Sequence, residues 1–144
     1  MKITVFFVLA TLLFTTSLQA KDKARHFSIQ DALESEAYEG RLNNDIKLYF
    51  GDQPHGNIEK NFGEYITNRK TNGFGKVDKK ACEWALLSAL LVLQDRAVME
   101  GGNAVINIRG FFKQNEFSSQ TEYECYSGAI MVGITLKGSV VRID

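Results

Sequence analysis

The stretch DKKACEWALLSALLVLQDRAVME, residues 78–100, decides the fold of this 144-residue chain. Asp78 is a suitable N-cap and two glycines at 101–102 are a helix stop, so the stretch predicts one long helix. At 100° per residue, its apolar side chains fall on two opposite faces. One face is centred on Cys82 and is rich in alanine. The other, which we call the second face, carries four large side chains: Trp84, Leu87, Leu91 and Val98.

The second face predicts an interface, because a surface helix normally has only one apolar stripe. Leaving four large side chains in water would forgo ~1.5–3 kcal/mol of burial for each. We expect the N-terminal segment of the same chain to cover this face, and a homo-oligomer with packed helices is the alternative. The covering segment would contribute Phe27, Ile29, Leu33 and Tyr38.

Before and after the long helix in the sequence, segments with alternating apolar residues predict strands. These strands are expected at residues 45–50, 62–71, 103–112, 121–126 and 129–143. Ser28 can cap a short helix that Gly40 would end. In the strand after the long helix, Ala104, Ile106 and Ile108 should share one face. We therefore expect an α+β fold with a three- to five-stranded sheet, one long helix packed on a face, and a short N-terminal helix.

Residues 1–20 have the layout of a secretory signal peptide. Lys2 gives a positive start, residues 3–14 form an apolar run too short to span a membrane, and Ala20 ends a short polar region. A buried N-terminal helix is the alternative, but the run has no amphipathic stripe. We expect cleavage after Ala20 and a single α/β domain over residues 21–144. That domain would have no transmembrane segment and a periplasmic or secreted location.

Cys82 and Cys125 are the only cysteines of the chain. An oxidising compartment favours a disulfide between them. Cys82 lies on a helix face that can approach a sheet closely, and Cys125 lies on the buried face of its strand, so the two thiols should meet between helix and sheet. Two free buried thiols or a metal role are the alternatives. Neither cysteine has a neighbouring ligand at the spacing of a zinc site.

Composition excludes several classes of protein. The chain has 17 basic and 17 acidic residues, and this balance argues against a nucleic-acid binder. Its length indicates one domain, and its content of aromatic residues argues against disorder. No serine stands in a strained GxSxG turn, which argues against a serine hydrolase. We expect the carboxylates of Glu122 and Glu124 to point outward from one strand and to be solubilising rather than catalytic. We expect no catalytic residue and no cofactor.

One turn and one charged segment remain as candidate sites. Asp52 and His55 share the proline-containing turn GDQPHG and could supply half of a metal site, the alternative being a turn residue and a solvated loop tip. Residues 68–80 hold five basic residues against one acidic residue, and such a patch could meet anionic lipid or polysaccharide. A solvated loop is the alternative. The basic residues are Arg69, Lys70, Lys76, Lys79 and Lys80.

Four stretches carry a resemblance to known proteins: YFGDQPH (49–55), TNRKTNGFGK (67–76), EGGNAVINIRGFF (100–112) and EYECYSGAIMVGITLKGSVV (122–141). Together they resemble a family of small exported bacterial proteins labelled "excinuclease ATPase subunit". The half of the chain from the long helix onward is more distantly similar to YbjQ-type heavy-metal-binding domains. It is also similar to the disulfide-bearing Rcs envelope-stress lipoprotein, although the lipid-attachment cysteine is missing here. The resemblance implies an α/β domain and an envelope location.

The enzymatic label of that family does not fit these residues. A phosphate-binding loop needs the pattern GxxxxGK[ST]. The nearest match ends at Lys76, with Lys70 in place of the first glycine and Val77 in place of the serine or threonine. We therefore expect neither ATPase nor excinuclease activity. The sequence favours an exported, non-enzymatic module that binds or signals in the envelope, with an envelope protein or a ligand as partner. A metal- or small-ligand-binding protein that uses the Asp52–His55 turn is the alternative.

Overall fold

A computed structural model describes residues 22–73 and 78–144. The predicted signal peptide and Lys76 of the basic segment lie outside the described residues. The secondary-structure elements are β1 Lys23–Ser28, α1 Ile29–Leu33, β2 Lys47–Phe50, β3 Ile58–Asn72, α2 Asp78–Glu100, β4 Ala104–Gly110, β5 Glu122–Ser127 and β6 Met131–Ile143. The fold class is α+β, as predicted, with one long helix.

The strands form one curled, mixed sheet around β6. Strand β3 pairs with β6 along one edge, while β4 and β5 share the other edge, and β1 and β2 extend the sheet beyond β5 and β4. Among the described strands, the β2–β4 pair alone is parallel. The prediction of three to five strands is wrong, because the described residues already form a sheet of six. The additional strand is β1, an edge strand whose first four residues are exposed and lack an apolar pattern.

The long helix α2 spans Asp78–Glu100, as the sequence predicts. Its alanine-rich face packs against the sheet, with Cys82, Leu86 and Leu93 almost fully buried. The structure joins Cys82 to Cys125 of β5 by a disulfide, with 6.0 Å between their Cα atoms. This confirms the predicted bridge between helix and sheet. No helix among residues 22–73 and 78–144 is long and apolar enough to cross a membrane.

The second face of α2 is covered in part from within the chain. Of the four expected covering residues, Ile29 and Tyr38 are buried and Phe27 is partly buried, but the expectation is wrong for Leu33, which is 39% exposed. Leu87 is buried, and Trp84 and Leu91 are partly buried against the core that also contains Tyr38. The Arg41 guanidinium lies 4.8 Å from the centre of the Trp84 ring. Val98, in contrast, is 55% exposed near the end of the helix.

A buried glutamine fastens this cover to α2. The Gln94 side-chain amide donates to the carbonyl oxygens of Asn43 and Ile46, and its own oxygen accepts from the Asn43 N–H, each at 2.9 Å. Burial of this polar side chain is therefore matched by three hydrogen bonds. The loop between α1 and β2 is thereby held against the helix. This loop therefore forms part of the intrachain cover of the second face.

The short N-terminal helix begins as predicted and ends earlier. Ser28 Oγ accepts a hydrogen bond from the Asp31 N–H at 3.1 Å and caps α1. The helix ends at Leu33, and the expected continuation to Gly40 is wrong, since turns occupy most of that stretch. The Asp31 carboxylate binds Lys79 of α2 at 2.8 Å, so α1 is joined to the long helix by an ion pair.

A bulge in β4 changes which side chains share a face. Asn107 has a positive φ of 52°, and the pairing with β6 shifts register between Ile106 and Arg109. A bulge adds one residue to a strand and reverses the alternation beyond it. Ala104 and Ile106 therefore lie in a small cluster away from the main core, whereas Ile108 lies in the main core. The expectation that these three residues share one face is wrong for Ile108.

Candidate functional site

A groove of about 550 Å³ lies at one end of the sheet, on the face away from α2. We call this side of the sheet the outer face. Cys125 faces α2 through the disulfide, so its neighbour Tyr126 points to the outer face by strand alternation. Lys70 of β3 and Thr135 of β6 reach the same groove from the neighbouring strands. The remaining lining residues are Asp22, Asn68, Phe112, Lys113, Gly128, Ala129, Ile130, Met131, Val132 and Gly133.

The connection between β4 and β5 folds back over the outer face and supplies one wall of the groove. Phe112 stacks on Tyr126 with 3.7 Å between ring centres and 20° between ring planes. Farther along the same connection, Phe117 stacks on His26 at 4.4 Å. Stacked rings contribute about 0.5–1.5 kcal/mol per pair beyond their burial. These two stacks hold the connection against β5 and β1.

The carboxylate of Glu124, on β5, lies next to this wall of the groove and contacts His26. Glu124 Oε2 lies 3.0 Å from His26 Nε2. Burial, together with the nearby carboxylate of Glu124, raises the pKa of Tyr126 to about 12. The Tyr126 hydroxyl is therefore protonated at neutral pH and serves as a hydrogen-bond donor.

Two lysines give the groove a cationic rim. Lys113 Nζ lies 5.3 Å from the centre of the Phe112 ring, within cation–π range. Among the described residues, neither Lys113 nor Lys70 has an ion-pair partner. Lys113 and Gln114 both have positive φ, at 50° and 65°. Left-handed backbone costs non-glycine residues about 1–2 kcal/mol each, so the turn that presents Lys113 is strained.

Two further cations of the outer face, Arg109 and Lys137, are already paired. Arg109 lies 2.7 Å from Glu64 and 3.2 Å from Glu116, with its own side chain only 8% exposed. Hydrogen bonding to Arg109 is the main cause that holds the pKa of Glu64 below its ordinary value, with Lys137 contributing its charge. This cluster pins β3 and the β4–β5 connection to β4. It is a structural arrangement, while the rim lysines remain available to a ligand.

The Asp52–His55 turn forms a separate depression with Asn107. Asp52 Oδ1 accepts a hydrogen bond from Gln120 at 2.8 Å, and His55 Nδ1 lies 2.7 Å from the Gly56 carbonyl oxygen. The structure brings the two candidate metal ligands to one surface. Within residues 22–73 and 78–144, no group of three or more histidine, cysteine, aspartate and glutamate side chains is placed to hold a metal ion.

The basic segment is divided among different surroundings. Lys70 lines the groove, and its neighbour Arg69 points to the other face of β3 by strand alternation. Lys79 forms the ion pair with Asp31, and Lys80 is exposed on α2. Sequence reasoning found Lys70 but missed Phe112, Lys113 and Tyr126. These residues become neighbours only when the β4–β5 connection folds over the sheet.

The groove presents aromatic surface beside two ammonium groups that have no ion-pair partner in the part of the chain that the structure describes. Such a combination suits a ligand that has an anionic group next to an apolar or ring-bearing part. Comparisons of the chain with protein-family models, with curated proteins and with solved structures give no match.

Proposed function

We propose that this protein is exported and acts in the cell envelope as a non-enzymatic binding module, with its ligand in the groove on the outer face. The observation that carries the proposal is the pair of unpaired rim lysines, Lys70 and Lys113, beside the stacked rings of Phe112 and Tyr126. Binding needs a preformed concave surface with a few placed polar groups, and this end of the sheet offers one.

The disulfide supports the export part of the proposal. Disulfides persist in the periplasm and in secreted proteins, and they are rare in the cytosol. The Cys82–Cys125 bridge also holds the groove, because β5 pairs with β6 at only two positions, Tyr126 with Gly133 and Ser127 with Val132. Without the bridge, the β1–β5 ribbon that carries Tyr126 would have a weak attachment to the rest of the fold.

The proposal is tested by titrating isotope-labelled mature protein with three envelope fractions, containing lipid, glycan and protein, and following its amide resonances. We expect one fraction to shift the resonances of Lys70, Lys113 and Tyr126 in a saturable manner. The variant Lys113→Gln should weaken that response, and Lys47→Gln, an exposed lysine on β2, should not. Shifts confined to other surfaces, or no shift with any fraction, would disprove the groove as the binding site.

A metal- or small-ligand-binding function at the Asp52–His55 turn is the second proposal. It is supported by the position of both side chains at one depression, and weakened by their existing hydrogen bonds. A ligand that binds only the folded state raises the melting temperature with concentration. A large, saturable stabilisation by Zn²⁺ or Cu²⁺ that His55→Ala abolishes would favour this function over the groove. We expect only a small, non-specific shift.

A further inference from the structure

The groove is continuous with an exposed apolar segment, formed by the tight connection between β5 and β6 at residues 128–130 and by Met131, the first residue of β6. Ile130 is 58% exposed and Met131 is 41% exposed, and Ala129 beside them is exposed as well. Exposed large apolar side chains next to one another mark an interaction surface more often than isolated ones do. We call residues 129–131 the apolar tip.

Two carbonyl groups of the apolar tip are hydrogen-bonded within the protein. The Gly73 N–H donates to the Ile130 carbonyl oxygen, and the Gly128 N–H donates to the Met131 carbonyl oxygen, both at 2.8 Å. Transferring unpaired carbonyl groups of a loop from water into an apolar medium raises the free energy and is therefore unfavourable. These two carbonyl groups already have donors, so the tip can enter such a medium at a lower cost.

Two positively charged side chains lie beside the apolar tip. Lys70 and Lys113 line the groove together with the tip residues, and Asp22 is the acidic residue of that lining.

We propose that this end of the domain docks on the surface of an anionic phospholipid bilayer. The inference rests on the proposed export and names the partner of the proposed groove. In this arrangement Ile130 and Met131 enter the interface between headgroups and acyl chains, and Lys70 and Lys113 contact lipid phosphates. Apolar insertion combined with attraction of basic residues to anionic lipid is the general basis of peripheral membrane binding.

The test measures co-sedimentation of mature protein with vesicles of phosphatidylglycerol and phosphatidylethanolamine, and with vesicles of phosphatidylcholine alone. We expect binding to the anionic vesicles that falls as salt rises, because screening weakens attraction to a charged surface. Removing a lysine should weaken the partition constant about fivefold for each residue, so Lys70→Gln with Lys113→Gln gives about 25-fold. Ile130→Ser should weaken it about tenfold through lost apolar contact.

Matched control variants distinguish docking through the apolar tip from non-specific binding to vesicles. Ile66→Ser removes an isoleucine of nearly equal exposure, 57%, from the middle of β3. Lys47→Gln with Lys60→Gln removes two exposed lysines away from the groove. Both control variants should bind vesicles as the unaltered protein does, and all variants should keep the melting temperature within a few degrees.

Several results would overturn the inference. These are equal binding to both kinds of vesicle, no binding to either, or equal losses in the control variants. Concentration-dependent dimerisation that Ile130→Ser abolishes would assign the tip to a second copy of the chain instead. If vesicles do not bind while a glycan or protein fraction shifts the groove resonances, the bilayer is excluded and the binding function at the groove remains.

Discussion

Replacing both Cys82 and Cys125 by alanine should lower the free energy of unfolding by about 4 kcal/mol. The bridge joins residues 43 positions apart in the sequence. On the chain-entropy model, a loop of that size restricts the unfolded chain by an amount worth about 4 kcal/mol at 25 °C. The total free energy of unfolding of a small domain is only about 5–15 kcal/mol. The variant should therefore remain folded but lose a large share of its stability.

The loss should be uneven across the structure. Strand β5 meets β6 at two registered positions, so the covalent bridge to α2 adds an important constraint on the β1–β5 ribbon, beside the ring stacks and the Arg25–Asp78 ion pair. Hydrogen exchange should therefore show the largest loss of protection in β1 and β5. Protection should fall much less in α2 and in the β3–β6 pair, because β3 and β6 pair without a register shift from Gly63 to Asn72.

The assay is chemical denaturation of the mature protein in oxidised form, beside the double alanine variant. The control is the unaltered protein, reduced while unfolded and then refolded under reductant. This control removes the bridge and keeps both sulfur atoms in the core. The reasoning is refuted if the oxidised protein and the reduced control differ by less than about 1 kcal/mol, or if the lost protection lies outside β1 and β5.

Three further changes test individual features of the fold. Tyr38→Phe removes a buried hydroxyl that has no hydrogen-bond partner among the described residues, so it should leave stability unchanged or raise it by about 1 kcal/mol in thermal denaturation; a loss above 1 kcal/mol would contradict this. Lys113→Gly relieves a positive φ of 50°, so it should raise the free energy of unfolding by about 0.5–1 kcal/mol while weakening ligand binding. A destabilised variant would show that the turn is unstrained. Arg109 lowers the pKa of Glu64, so this ion pair stabilises the fold above the ordinary glutamate pKa of about 4.3, and that stability is lost as pH falls through the lowered value. Melting temperatures between pH 7 and pH 2 should therefore depend less on pH in Glu64→Gln than in the unaltered protein, whereas a matched change at the exposed Glu59 should leave the pH profile as it was.

The sequence predicts α2 to the residue, because each end has its own chemical signal. Asp78 can cap the start, and the glycines at 101–102 end the helix, with Gly101 adopting a positive φ of 84°. The disulfide was also predictable, since both cysteines lie on apolar faces of well-patterned elements. Local signals of this kind do not depend on distant parts of the chain.

The missed features depend on tertiary contacts. Strand β1, with the sequence KARHFS, has no buried alternation and is a strand because it pairs with β5 over six positions. The bulge at Asn107 is invisible to a period-two pattern, so the side assigned to Ile108 was wrong. In the same way, Gln94 reads as a polar residue at the margin of the helix until the loop at residues 43–46 bonds to it.

The candidate site was the least predictable part. Lys70, Phe112 and Tyr126 come from three separate segments, and no pattern within those segments indicates that the three side chains become neighbours. The folded β4–β5 connection brings them together by stacking Phe112 on Tyr126. The sequence did identify a basic segment that includes Lys70, but it could not show that Lys79 is paired with Asp31 while Lys70 is free to meet a ligand.

The account depends most on export followed by disulfide formation. The direct test expresses the full 144-residue chain in a Gram-negative bacterium, separates cytosol from periplasm and medium, and records intact masses with and without alkylation before reduction. We predict a periplasmic or secreted chain that begins at Lys21, is two hydrogen atoms lighter than the dithiol, and takes up alkylating agent only after reduction. An uncleaved chain in the cytosol with both Cys82 and Cys125 alkylated without reduction would contradict the account.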